Sequence, residues 1–254
     1  MTTDRPSVLV PLRVLDGESL PDGVPELLAG AHVVLLGYHV VPEQTPPGQA
    51  RLQFEERARA RLDEFEESLG AAGATVERRL VFTEDGQQTI DRTVEEHGCL
   101  AVLVPSATPP VEDVLVAVRG TVGVDRLARV VAGVFGETDA RVTLYHVADP
   151  DETDADAEAL LDTVTGRLTA LGVDDGRVSI RVEREQDPID AIAGATAEFD
   201  TVVMGETDPS LATFVFGMPA EQVAERFLGP VLVVQREHEE ATAPADSVDD
   251  ETAE

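Results

Sequence analysis

Lysine is missing altogether. All 19 basic residues are arginine, against 50 acidic ones, for a formal charge of −31. Acidity alone does not explain that absence; adaptation to molar salt accounts for both features. At about 1 M salt the Debye length shrinks to ~3 Å, so repulsion among surface carboxylates is screened, whereas in dilute buffer the same repulsion loosens the fold. An ordinary acidic protein is the alternative. The sequence also lacks a cluster of arginines or a ladder of aromatic residues, and a charge of this sign repels phosphate backbones and anionic headgroups, so no nucleic-acid or lipid partner is expected. Cys99 is the only cysteine, which excludes an intrachain disulfide and a thiolate metal cluster and points to an inert core thiol. The apolar run around Val33 to Leu36 is far too short to span a bilayer, so no membrane insertion is expected. Met1-Thr2-Thr3-Asp4 shows neither a basic nor an apolar leader region, and a soluble cytoplasmic protein is expected. No His-x3-His or His-Glu-x2-His spacing suggests a metal, and no Gly-x-Ser-x-Gly elbow suggests a hydrolase. Neither an enzyme nor a metal site is expected.

What the sequence does contain is a long repeat. Val8-Leu9-Val10-Pro11-Leu12-Arg13 returns as Val114-Leu115-Val116-Ala117-Val118-Arg119, Tyr38-His39-Val40 as Tyr145-His146-Val147, and Ile90-Asp91 as Ile189-Asp190. Solenoid repeats have periods of ~20–50 residues. The first two echoes lie 106 and 107 residues apart and the third 99, which marks a duplicated domain of about a hundred residues, large enough to bury its own core.

Hydrophobic patterning fills in each copy. In the first, strands are predicted at 7–14, 32–40, 75–82 and 100–104, with a short helix in 25–31, a helix over 49–69 ended by Gly70 and Gly73, and one over 89–97. Leu52, Phe54, Ala58, Leu62, Phe65 and Leu69 supply the apolar face of the long helix. In the second, strands are predicted at 113–118, 141–147, 178–183, 201–204 and 231–234, with helices over 124–135, 154–171, 188–199 and 219–228. Strand–helix alternation gives parallel α/β units with right-handed crossovers. The fold class is therefore α/β, two tandem doubly wound Rossmann-like domains. The first, 1–110, is truncated at four strands; the second, 111–238, has five; and 239–254 reads as an acidic disordered tail.

The motifs are similar to those of universal stress protein domains. The resemblance rests on the Val-Leu-Val-Pro-Leu type of first strand, Leu144-Tyr145-His146-Val147 ending the second, Gln186-Asp187-Pro188-Ile189-Asp190-Ala191-Ile192, and Asp200-Thr201-Val202-Val203-Met204-Gly205 followed by Gly217 and Pro230-Val231-Leu232-Val233-Val234. The match is fuller in the second copy than in the first. The resemblance implies that nucleotide-binding members carry an acidic residue at the end of strand one, against adenine. It also implies a Gly-x2-Gly-x9-Gly-Ser/Thr loop after strand four, whose amides cradle phosphate. This chain departs at each point. Strand one ends in Arg13 and in Arg119. The loop starts at Gly205, but Asp208 replaces the second glycine, the spacer to Gly217 is one residue short, and Met218 replaces the hydroxyl residue. Glu206 adds a further negative charge, and the first copy has no such loop.

These departures predict a stress-response or regulatory protein that binds without the family's ATP site and without a cofactor. The alternatives are an ATP/AMP-binding sensor using ATP with Mg, and a regulatory companion of a membrane transporter. Arg119 is expected to pair with Glu206 or Asp208. His39 and His146, which recur at the ends of equivalent strands, are expected to be packing or hydrogen-bonding groups. Relatives pair through their fifth strands; with only one such strand, this chain is expected to form a homodimer through Val231–Val234. The competing outcome is that this strand docks on the short edge of the first copy.

Overall fold

The computed structural model describes residues 5–42, 47–120, 123–184, 188–205 and 229–235. The apolar runs form strands buried on both faces: β1 (Ser7–Arg13), β2 (His32–Val40), β4 (Ala101–Val104), β5 (Asp113–Ala117), β6 (Arg141–Val147), β8 (Thr201–Gly205) and β9 (Val231–Val234). Near-continuous Val/Leu sequence is what a sheet covered on both sides demands. The two half-exposed strands, β3 (Thr75–Thr83) and β7 (Val178–Glu183), carry the charges Glu77, Arg78, Arg79 and Arg181, and they are the sheet's two edges, where charge discourages edge-to-edge pairing.

The nine strands of the described residues lie in one sheet of order β3-β2-β1-β4-β9-β8-β5-β6-β7. Each repeat keeps its own parallel order, and β9 is shared. It runs parallel to β8, as the fifth strand of its own repeat, and antiparallel to β4, with Ala101 opposite Val234 and Val104 opposite Val231. The Gln235 N–H extends that ladder to the Leu100 carbonyl at 2.8 Å. The missing fifth strand of the first repeat is thus supplied by the second. This is the docking outcome: both edges of β9 are occupied within the chain, so the pairing expected between two chains through Val231–Val234 finds no free edge. The single antiparallel junction also turns the repeats head to tail, so their carboxyl edges point to opposite sides of the sheet.

Helices cover both faces. α1 (Val24–Leu27), α2 (Pro47–Ala72), α4 (Val124–Phe135) and α5 (Asp154–Ala170) pack on one face, in a core that runs without a break from Val8 and Val10 through Leu232 and Val234 to Val114 and Val116. On the other face α3 (Gly86–His97) covers Leu9, Val34 and Val102, while α6 (Pro188–Ala195) covers Leu115, Val202 and Val233. α1 is a single turn where its counterpart α4 has three, and α4 leans into the space. A Cβ on Gly133 would come within 2.3 Å of the Pro6 ring, so glycine is what permits that approach. The connector between the repeats is pinned to both: the Thr108 N–H donates to the Asp22 carbonyl at 3.0 Å, and the Asp200 carboxylate accepts from the N–H groups of Glu112 and Asp113 at 2.8 and 2.9 Å.

Local differences from the expected elements have local causes. α2 runs through Gly70 to Ala72, and Gly73, at φ 114, makes the turn. Leu52 does not join the apolar face; it is 89% exposed. α3 starts three residues early because the Asp85 side chain caps it, accepting from the Gln88 N–H at 3.0 Å. The last turn expected of α6 tightens into a 3-10 turn over Thr196–Glu198. The helix expected at 219–228 and the tail at 239–254 lie outside the described residues.

Candidate functional site

In an open α/β sheet the crevice for a ligand lies beyond the carboxyl ends of the strands, where the strand order reverses. Each repeat therefore offers one such place: the ends of β1 and β4 in the first, and of β5 and β8 in the second.

At the first, Arg13 ends β1 and is exposed. Its N–H donates to Glu18 Oε2 at 2.6 Å and its Nε to the Tyr38 hydroxyl at 3.2 Å, with the guanidinium 6.0 Å from the Tyr38 ring centre. That hydrogen bond, reinforced by charge and opposed by burial, raises the Arg13 pKa. His39 stands edge-on to Phe54 and Phe82, each ring centre 6.1 Å away. Its Nδ1 is buried without a hydrogen-bond partner among the described residues; the Asp16 carboxylate lies 3.6 Å away, too far to supply one.

At the second, Arg119 follows β5 and faces Asp149 at 3.8 Å, both exposed. Such a pair contributes ~0–1 kcal/mol. Gly205 ends β8, half-buried and opposite Val234. Glu206, Asp208, Gly217 and Met218 lie outside the described residues, and with them the carboxylates proposed as partners of Arg119.

The polar centre at this edge is His146, only 4% exposed. Its Nδ1 lies 2.8 Å from the Val118 carbonyl oxygen, and its Nε2 lies 3.1 and 3.0 Å from the two oxygens of Glu152. Glu152 also accepts from the Asp149 N–H at 3.1 Å. Burial pushes its carboxyl up, but the bonds from His146 and from Asp149 outweigh that, and the net direction is down. Arg184 closes the group, donating to the carbonyls of Asp149 (3.4 Å) and Glu152 (2.9 Å) and to Asp154 Oδ1 (2.7 Å). Thr153 then caps α5, its hydroxyl accepting from the Asp156 N–H. The hydrogen-bonding role expected of His146 is what the geometry gives. Glu152 and Arg184 were not legible beforehand; the one hint is that Glu152 sits between the strand-end His146 and the capping Thr153.

Tyr145, on the opposite face of β6, is 1% exposed and donates to Glu183 Oε2 at 2.7 Å. That bond is the main cause that lowers the Glu183 pKa; burial opposes it and Arg181 assists. A carboxyl whose folded pKa is depressed contributes stability above its unfolded value of ~4.3, and loses it as pH falls through the folded value. Tyr145→Phe is therefore expected to cost about 1 kcal/mol at neutral pH, discounted for the partial exposure of Glu183. The difference from the parent should vanish in acid. Urea titrations near pH 7 and pH 3 read both; an equal deficit at the two pH values would assign the loss to packing alone.

Among the described residues no group of three or more His, Cys, Asp or Glu side chains is placed to hold a metal, and no helix is long and apolar enough to cross a membrane. Cys99 is buried, and burial first of all pushes its thiol pKa up, which keeps it protonated.

Residues 110–235 match the universal stress protein family. Of solved structures, a universal stress protein from Archaeoglobus fulgidus DSM 4304 is similar over 91% of this chain and 96% of its own, at 20% identity and a TM-score of 0.60. A universal stress protein solved in complex with cAMP aligns over 50% of this chain and 98% of its own (24% identity, TM-score 0.37). The universal stress protein from Archaeoglobus fulgidus solved with dAMP aligns over 48% and 97% (19% identity, TM-score 0.38). No curated protein matches the sequence.

Proposed function

Through residues 110–235 the chain belongs to the universal stress protein family, and from that premise we propose that it acts by binding, in a stress-response or regulatory role, without the adenine-nucleotide site of the family's nucleotide binders. One observation carries this reading. A guanidinium ends the first strand of the first repeat, tied to Tyr38, and another follows two residues after the first strand of the second, facing Asp149, where the resemblance puts the carboxylate that meets adenine. A carboxylate accepts a hydrogen bond from a base's amino group, whereas a guanidinium only donates. Replacing that acceptor by a donor at both positions removes the recognition rather than weakening it. The sequence after Gly205 supports the same reading, since Glu206 and Asp208 put negative charge into the stretch that, by the resemblance, cradles phosphate.

The test is titration calorimetry of ATP with Mg²⁺, on protein shown by circular dichroism to be folded in about 2–3 M KCl, where repulsion is screened. The expected result is no heat of binding up to millimolar nucleotide. Micromolar binding would make the chain a nucleotide sensor and overturn the reading. With no nucleotide bound, the role falls to a protein partner, a transporter among the candidates, and co-purification in high salt identifies it. A dimer through Val231–Val234 forms no part of the proposal.

A further inference from the structure

We propose that His146 and Glu152 form a proton-dependent latch that holds the β6–α5 turn, and with it Asp149, against the end of β5 at the carboxyl edge of the second repeat. The proposal rests on geometry and is independent of whether a nucleotide binds.

Both ring nitrogens of His146 face acceptors. A carbonyl oxygen only accepts, so the contact at the Val118 oxygen, 2.8 Å away, places a proton on Nδ1. The carboxylate at Nε2 requires a second proton, on the ring or on Glu152, to make contacts of 3.0 and 3.1 Å. That proton belongs to the pair. When it leaves, a ring lone pair confronts a carboxylate in a site where the ring is 4% exposed, with no water to intervene at that distance. Contact then turns to repulsion, and Glu152 is pushed out.

The latch spans the two strand ends that present the exposed ion pair. Val118, bonded at one side of the ring, is followed directly by Arg119. Glu152, at the other side, holds the Asp149 N–H, and Asp149 faces Arg119 at 3.8 Å. The charged groups around the pair are Arg119 beyond β5, Asp149 and Asp156 in the turn and the first turn of α5, and Arg184 after β7. Asp156 works against the carboxylate form of Glu152. The net lowering at Glu152 fixes the acid limit: the carboxylate's contribution persists above its unfolded value and is lost as pH falls through the folded one. The alkaline limit is the departure of the shared proton.

The first repeat supplies an internal control. His39 occupies the equivalent strand position, but there the Leu12 carbonyl accepts from the Val14 N–H at 3.0 Å, and the His39 Nδ1 makes no hydrogen bond among the described residues. One repeat has the latch; in the other the imidazole has only the Asp16 carboxylate at 3.6 Å from Nδ1, beyond hydrogen-bond reach.

The experiment is nitrogen-15 NMR of the histidine rings across a pH titration in about 2–3 M KCl, with amide exchange at Asp149 followed in parallel. The expected result is two protons on the His146–Glu152 pair, one of them on the ring Nδ1, for as long as the Asp149 amide stays protected. Asp149 protection should fall about tenfold as the pair loses its proton, the equivalent of one hydrogen bond. In Glu152→Gln the side-chain amide donates to Nε2, so the ring needs only the Nδ1 proton, and Asp149 protection should no longer change across that range. A single ring proton on His146 with Glu152 ionised in the parent protein overturns the proposal, and so does Asp149 protection that ignores the loss of the pair's proton. If Glu152→Gln does not fold, these two parent measurements decide alone.

Discussion

Val233→Pro is expected to unfold both repeats together, in one transition, at a cost of about 3 kcal/mol or more. Val233 is 1% exposed and lies between Val102 of β4 and Met204 of β8. Proline at an edge strand keeps its nitrogen toward solvent, but β9 has no solvent side, so the ring removes a ladder donor and collides with a neighbouring strand. Because β9 lies between β4 and β8 and pairs with both, damage there reaches β1 through β4 as directly as β5 through β8. Circular dichroism in high salt against guanidinium-free denaturant, read beside amide exchange at Leu9 and Leu115, distinguishes the outcomes. Loss of protection at Leu115 with Leu9 unaffected would show that the first repeat stands without β9.

A second large effect is expected from salt alone. With 50 acidic residues against 19 arginines, most carboxylates have no cation to face. Two such charges 10 Å apart repel by roughly 0.4 kcal/mol in water before screening. Summed over the surface, dilution from about 3 M to about 0.1 M KCl should cost roughly 5 kcal/mol, which is within the whole stability of a typical domain. The expected observation is loss of helical signal on dialysis into dilute buffer and its recovery when KCl is restored. Full helicity at low salt, with an unchanged thermal midpoint, would refute the molar-salt reading of the missing lysine.

Most of the sheet was legible in the sequence, because strands buried on both faces must be continuous runs of Val and Leu. His32–Val40, Arg141–Val147 and Val231–Val234 fall where patterning puts them. The partner of Val231–Val234 was not legible. A strand with both faces apolar carries no mark of which backbone will run beside it; that was decided by the unpaired edge that the shortened first repeat leaves at β4. Leu52 misled because it is apolar, but it lies ~200° around the helix from Phe54, and it is Ala50 and Phe54 on either side that turn inward, Ala50 4% exposed and Phe54 against His39. At the candidate site, Arg13, Arg119 and His146 stood out by recurrence. Glu152 did not, because nothing in the sequence separates it from the other carboxylates of a chain with 50 acidic residues.

The shared strand also sets a timetable for the chain's own birth. As the polypeptide leaves the ribosome, β1 to β4 are complete early, yet the strand that covers β4 emerges roughly 130 residues later, on the order of ten seconds at ordinary rates of translation. Through that interval the nascent first repeat shows a bare row of amides and carbonyls, Ala101–Val104, to every neighbouring polysome product. Brevity is its protection: four residues give a passing strand little to grip before the cognate one arrives.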